Sequence, residues 1–205
     1  MKARIMKPLR LKTAVLAIVF SAVSSLAGHA ESHTIRNCTW CHGTAAQGYL
    51  PAPRLAGQQR QYLENQLVGF RQHTRDNPFS KQYMWFATEN LGPQTAHDLA
   101  VYFSKLTPKS AEDGDQQLAA MGRTIYQDGV PDSNIVACIA CHGPGAEGVR
   151  EIPRLGGLAF TYLQRRLEQW GEGYNKTARL PMPHVASQLS PKQIAALASY
   201  LSFIK

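Results

Sequence analysis

The phrase Cys-x-x-Cys-His is written twice in this chain, as CTWCHG from Cys38 and as CIACHG from Cys138, 100 residues apart. The interval holds well beyond the phrase itself. PRLAG from Pro53 returns as PRLGG from Pro153, and YLENQLVGF from Tyr62 as YLQRRLEQW from Tyr162. Further on the shift becomes 98, so that Met84, Leu91, Pro93, Leu99, Ala100 and Tyr102 match Met182, Leu189, Pro191, Leu197, Ala198 and Tyr200. A chain that repeats itself in this way builds one structural unit twice, and whatever one copy folds into constrains the other. Between the copies, TPKSAEDGDQ is short, polar and carries Pro and Gly, the composition of a linker. The expected division is a leader over residues 1–30, one domain over 31–107, a linker over 108–115 and a second domain over 116–205.

The leader is read from charge and hydropathy. Lys2, Arg4, Lys7, Arg10 and Lys12 stand without an acid, an apolar run TAVLAIVFSAVSSLA follows, and small residues lead to Ala30. This is the pattern of a secretory signal peptide cleaved near Ala30, which places the mature chain in the periplasm. A retained anchor is the alternative, but an apolar run of about 15 residues falls short of the roughly 20 needed to span a bilayer. Loose association with the membrane stays compatible with this reading. Removing the five leader cations leaves 17 basic against 14 acidic residues, so a formal charge of +8 becomes +3. Clustered Lys and Arg on one face are missing, and no nucleic-acid partner is expected.

Each copy reads as helical, and the fold class is all-α. Ser190-Pro191-Lys192-Gln193 combines a Ser cap, Pro at the first helical position and Gln three residues after the cap. Ile194, Leu197, Ala198 and Leu201 follow on one face, as do Ala96, Leu99, Ala100 and Phe103 after Gly92-Pro93. Leu63, Leu67 and Phe70, and likewise Leu163, Leu167 and Trp170, mark a middle helix in each copy. Leu118, Met121, Gly122, Ile125 and Tyr126 mark one more helix ahead of the second motif.

Cys-x-x-Cys-His is the attachment phrase of c-type haem: the two thiols form thioethers with the haem vinyl groups and the adjacent His ligates the iron. On that reading Cys38, Cys41, Cys138 and Cys141 hold two covalent haem c groups, and His42 and His142 are the proximal ligands. A thioredoxin-like redox pair would need a βαβ setting, a zinc site a second ligand pair nearby, and a structural disulfide would have to bridge only two intervening residues. An electron-transfer haem takes a sixth ligand, and Met opposite His raises the potential. Of the five methionines, Met1 and Met6 lie in the leader and Met121 sits on an apolar helical stripe. Met84 and Met182 are superposed by the duplication, 42 and 40 residues beyond their proximal histidines, and are the expected sixth ligands. His33, His73, His97 and His184 read as surface or loop residues, with His73 or His33 the substitute at the first iron.

Tandem Cys-x-x-Cys-His units, each with a Pro-Arg-Leu segment and a late Met before a final helix, resemble the diheme cytochrome c4 family, two cytochrome c-like helical domains fused in one periplasmic chain. The resemblance covers nearly all of the mature protein. It implies that the carbonyls of Pro53 and Pro153 meet the Nδ1–H of the proximal histidines, fixing the imidazole planes, and that Arg54 and Arg154 lie near haem propionates. Two departures stand out. Only ESHTIRN separates the expected cleavage site from Cys38, so the first domain lacks the usual N-terminal helix. Met182 lies in Pro-Met-Pro, a stiffened ligand loop, whereas Met84 lies in Tyr-Met-Trp.

The implied function is electron carriage by Fe(III)/Fe(II) cycling of two His/Met-ligated haems, with no catalysis. Expected partners are periplasmic or membrane-bound redox proteins, a dehydrogenase or reductase as donor and an oxidase or reductase as acceptor. A dedicated electron-accepting partner or subunit of a periplasmic dehydrogenase is the alternative. A haem peroxidase or ligand sensor would need an open sixth position, and Met84 is where one would arise.

Overall fold

In a computed structural model the protein is described over residues 34–175 and 181–205. Residues 34–42 are helical (α1), and α2 spans Arg60–Arg71. A π-helical turn, Ser80–Met84, runs into α3, Trp85–Thr88, before α4, Pro93–Ser104. The second copy contributes α5 (Gln116–Asp128), a 3-10 turn (Pro131–Ser133), α6 (Ile139–His142), α7 (Phe160–Gly171), α8 (Met182–Ser187) and α9 (Pro191–Phe203). Among the described residues there is no strand, only isolated bridges such as Tyr49–Ala52 and its repeat Val149–Ile152. The expected leader lies outside the described residues. No helix among those described is long and apolar enough to cross a membrane.

The duplication is visible as the same hydrogen bonds made twice. The carbonyl of Ala46 accepts from the amides of Leu55 and Ala56, and that of Ala146 from those of Leu155 and Gly156. Residues 38–205 pack as one compact unit.

The terminal helices show where the copies differ. α9 starts with the capping box its sequence announces: the Ser190 hydroxyl accepts from the Gln193 amide and the Gln193 side chain accepts from Ser190. It buries Ile194, Leu197, Ala198 and Leu201, and also Ala196, Ser199 and Ser202, because α5 covers a second face. Gly122 permits that approach, since a Cβ there would strike the carbonyl oxygen of Ala196. Fully buried Tyr126 of α5 donates to the Gly143 carbonyl and so ties the helix to the second motif. At roughly 1.5–3 kcal/mol for each buried Leu or Ile, this contact is a main source of the second copy's stability.

In the first copy α4 buries only Ala96, Leu99, Ala100 and Phe103. Its Asp98 and Tyr102, equivalent to Ala196 and Tyr200 under α5, are exposed. No counterpart of α5 precedes Cys38 among the described residues; instead the motif helix itself begins at residue 34. The larger continuous apolar core accordingly lies in the second copy.

Candidate cofactor sites

Each motif ends its helix in the same way. Gly43 and Gly143 stand at φ +84° and +80°, left-handed values that a glycine adopts at little cost and that stop the helix just after the His. Five residues on, Gly48 and Gly148 return their amides to the carbonyls of His42 and His142, both at 2.8 Å. A Cβ on Gly48 would lie 2.7 Å from the Arg54 amide nitrogen, so a glycine is needed for the Pro53 segment to close over the His. These contacts explain the glycines that follow each phrase.

The closure brings the Pro carbonyl onto the imidazole. Nδ1 of His42 donates to the carbonyl of Pro53 at 2.7 Å, and Nδ1 of His142 to that of Pro153 at 3.0 Å. A carbonyl can only accept, so the proton is on Nδ1 and the lone pair is on Nε2. Both rings are buried, His42 6 % and His142 5 % exposed. Burial pushes each imidazole below its ordinary pKa, opposed by the Pro carbonyl in both and assisted at His42 by the nearby charge of Arg75. Two neutral, oriented imidazoles presenting Nε2 fit axial ligation of an iron.

The thiols fit covalent attachment. Cys41 and Cys141 are exposed and Cys38 and Cys138 partly buried, and no disulfide joins them. Burial raises the Cys38 and Cys138 thiols to about 11. Among the described residues no three His, Cys, Asp or Glu side chains converge as a zinc centre would require.

Met84 ends the π-helical turn and Met182 opens α8, so Met182 stands on helix rather than on the loop expected from Pro-Met-Pro. The reason is that Pro181 takes φ −68° and ψ −22°, a helical pair that lets it lead directly into α8. Both methionines are partly buried, and Met182 packs against the second copy's core, as does Met121. His73 stacks on Trp85 with ring centroids 3.9 Å apart, His97 pairs with Glu64 at 2.8 Å, and His184 is exposed on α8. His33 lies outside the described residues.

Arg54 serves the join between the copies. It is buried, and its guanidinium donates to the carbonyls of Lys109, Gly156 (2.7 Å) and Gly157 (2.7 Å). Only its Nε is buried without a partner. Arg154 is partly buried, gives its Nε to the Gly156 carbonyl at 3.3 Å, and its charge depresses the Arg54 pKa after burial has done so, to about 10. Beside them Gln58 bonds both the amide and the carbonyl of Arg154, while Gln59 donates to the carbonyls of Glu147 and Gly148. The repeat carries a signal for these two glutamines: their equivalents are the apolar Leu158 and Ala159. Arg54→Leu is expected to strip three buried carbonyls of a charged donor. At about 3 kcal/mol, calorimetry of the loaded protein should show its unfolding broadened or split into two transitions.

The comparisons with known proteins follow this geometry. A family model described as Cytochrome c matches residues 119–205. Cytochrome c4 of Thiocapsa roseopersicina is 31 % identical over 85 % of this chain and 90 % of its own length. A protein named thiosulfate dehydrogenase electron acceptor, from Thiomonas intermedia, is 36 % identical over 81 % of this chain and 77 % of its own. The solved structure of cytochrome c4 from Acidithiobacillus ferrooxidans superposes with a TM-score of 0.76 at 31 % identity, covering 82 % of this chain and 98 % of that one. An all-helical frame that builds the same Cys-x-x-Cys-His site twice, in such company, is that of a c-type cytochrome: an electron-transfer protein with two covalently bound haem c groups. Within that class, the chain belongs to the cytochrome c4 family.

Proposed function

We propose that the protein shuttles electrons in the periplasm between redox partners, using two haem domains, 31–107 and 116–205, joined by residues 108–115. Cys38 and Cys41, and Cys138 and Cys141, form the thioethers. His42 with Met84, and His142 with Met182, would hold the two irons. Bound haem c supplies a one-electron Fe(III)/Fe(II) couple. The chain keeps ligation constant while the charge changes. Pro53 and Pro153 hold the imidazole planes, Gly48 and Gly148 hold the Pro segments, and Arg54, Gln58 and Gln59 hold one copy against the other. The observation that carries the reading is the His Nδ1–Pro carbonyl bond made at the same place in both copies. The leader is cleaved near Ala30 on export, and the chain performs no catalysis of its own.

The test is made on protein exported from a host that attaches haem c. Intact mass should show two haems on a chain beginning at Glu31, and anaerobic reductive titration should consume two electrons per chain. One haem, or one electron, would overturn it.

A second reading is favoured by the relative named for accepting electrons from thiosulfate dehydrogenase. On it the first copy docks such an enzyme, since Trp40, Tyr49, Leu50, Tyr83 and Phe86 are exposed there. Saturable reduction of both haems by that dehydrogenase and thiosulfate would support it, and reduction no faster than for an unrelated cytochrome would dismiss it.

A further inference from the structure

Met84 and Met182 are equivalent in the repeat, yet the two copies hold them by different means. Met182 stands between Pro181 and Pro183, whose fixed φ stiffens the chain on both sides. Met84 stands between Tyr83 and Trp85, with no proline beside it. It ends a π-helical turn, Ser80–Met84, from which the Trp85 amide reaches back to the Ser80 carbonyl. Such turns are rare, occur one at a time and gather at functional sites.

Trp85 is where this turn is fastened to the rest of the first copy. Its Nε1 donates to the Arg75 carbonyl at 3.0 Å. The His73 imidazole stacks on its ring, with centroids 3.9 Å apart and planes inclined by 14°, and Lys81 Nζ lies 5.7 Å from the same ring's centroid. His73 and Arg75 both belong to the bend that ends α2. There the His73 amide donates to the Phe70 carbonyl, and the amides of Thr74 and Arg75 donate to that of Gly69. The bend is tied to the helix, and the tryptophan to the bend. His73 is exposed, so its ring fills no core; what it packs on is Trp85.

The second copy makes the same bend with a different residue. Gly173 and Tyr174 donate to Trp170 and Gln169 as His73 and Thr74 donate to Phe70 and Gly69. Gly173 stands at φ +94° and His73, its equivalent, at φ +59°. Left-handed backbone disfavours a residue with a Cβ and spares glycine. A histidine held there against its local preference needs contacts elsewhere to offset the strain. The equivalent of Trp85 is Pro183, so both rings are missing from the copy whose Met lies between prolines. We infer that His73 and Trp85 form a clamp, a pair of positioning residues that hold Met84 for the first iron where prolines serve Met182. The inference rests on the reading of Met84 as sixth ligand.

A helix cap and a ligand clamp predict opposite results for His73→Gly. The variant takes the residue that the second copy has, so the bend survives, the strain is relieved and only the ring is lost. The test uses haem-loaded Met182→Ala protein, in which the remaining Met-to-iron band belongs to Met84. Imidazole is titrated in, and the concentration that halves the band is read. It should fall about tenfold in His73→Gly and in Trp85→Leu, because Met84 competes less well once its turn is unfastened. His73→Phe restores a ring and should return the midpoint to within about twofold of the parent. An unchanged midpoint in His73→Gly or Trp85→Leu, or a His73→Phe protein shifted as far as His73→Gly, would overturn the inference. So would a shift of the second haem's band when His73→Gly is placed in Met84→Ala protein, since that band should keep its midpoint. Met182→Ala protein with two haems and no band would overturn the ligation reading itself, and the clamp with it.

Discussion

Met182→Ala is expected to leave both haems attached and to remove half of the Met-to-iron charge-transfer intensity. Thioether attachment depends on Cys138 and Cys141 and is indifferent to the sixth ligand, so haem count and axial ligation separate cleanly in this variant. The potential of one haem should fall by roughly 0.2 V, a modest part of the about 0.8 V over which axial ligands tune haem. Met182 opens α8 with its backbone already helical and its side chain against the second copy's core. The protein should therefore lose a ligand without losing its fold, and circular dichroism should show an unchanged helical content.

Gly122→Ala is expected to produce the largest loss of stability from a single added methyl. The new Cβ meets the Ala196 carbonyl oxygen and its carbon, both in helix backbone, with no flexible side chain to yield. α5 must move off α9, at a cost of about 3 kcal/mol. That lowers the melting temperature by roughly 10 °C or more. Gly171→Ala provides the contrast. It stands at the end of α7 with its nearest neighbour at 3.8 Å, so the same methyl fits and the helix gains up to about 1 kcal/mol from replacing Gly. Equal effects at the two glycines would contradict the close α5–α9 contact.

Much of this was legible before any coordinates, because the repeat aligned each copy against the other. The Ser190 capping box and the apolar face of α9 follow from local pattern, and local pattern is where sequence is strongest. The junction was not legible. The hydrogen bonds of Arg54 go to the backbone of residues 109, 156 and 157, a long-range contact that no periodicity encodes. Gln58 and Gln59 stand where the copies differ, whereas a repeat points to the positions where they agree. In a fused duplicate the surfaces where the copies meet are not equivalent. Their residues are therefore found where the repeat breaks, as at Gln58 against Leu158 and Gln59 against Ala159. The helical setting of Met182 differs from the loop expected for another reason: Pro is read as a breaker, whereas at a helix start its fixed φ is already helical.

The central claim is that one chain carries two equivalent His/Met haems, and it is tested most directly by the ferric Met-to-iron band scaled per haem, in the parent and in Met84→Ala and Met182→Ala. Two haems with full intensity, halved by either substitution, is the predicted result. Half intensity in the parent, unchanged by Met84→Ala, would mean that the first iron has another sixth ligand or none, and would contradict the account.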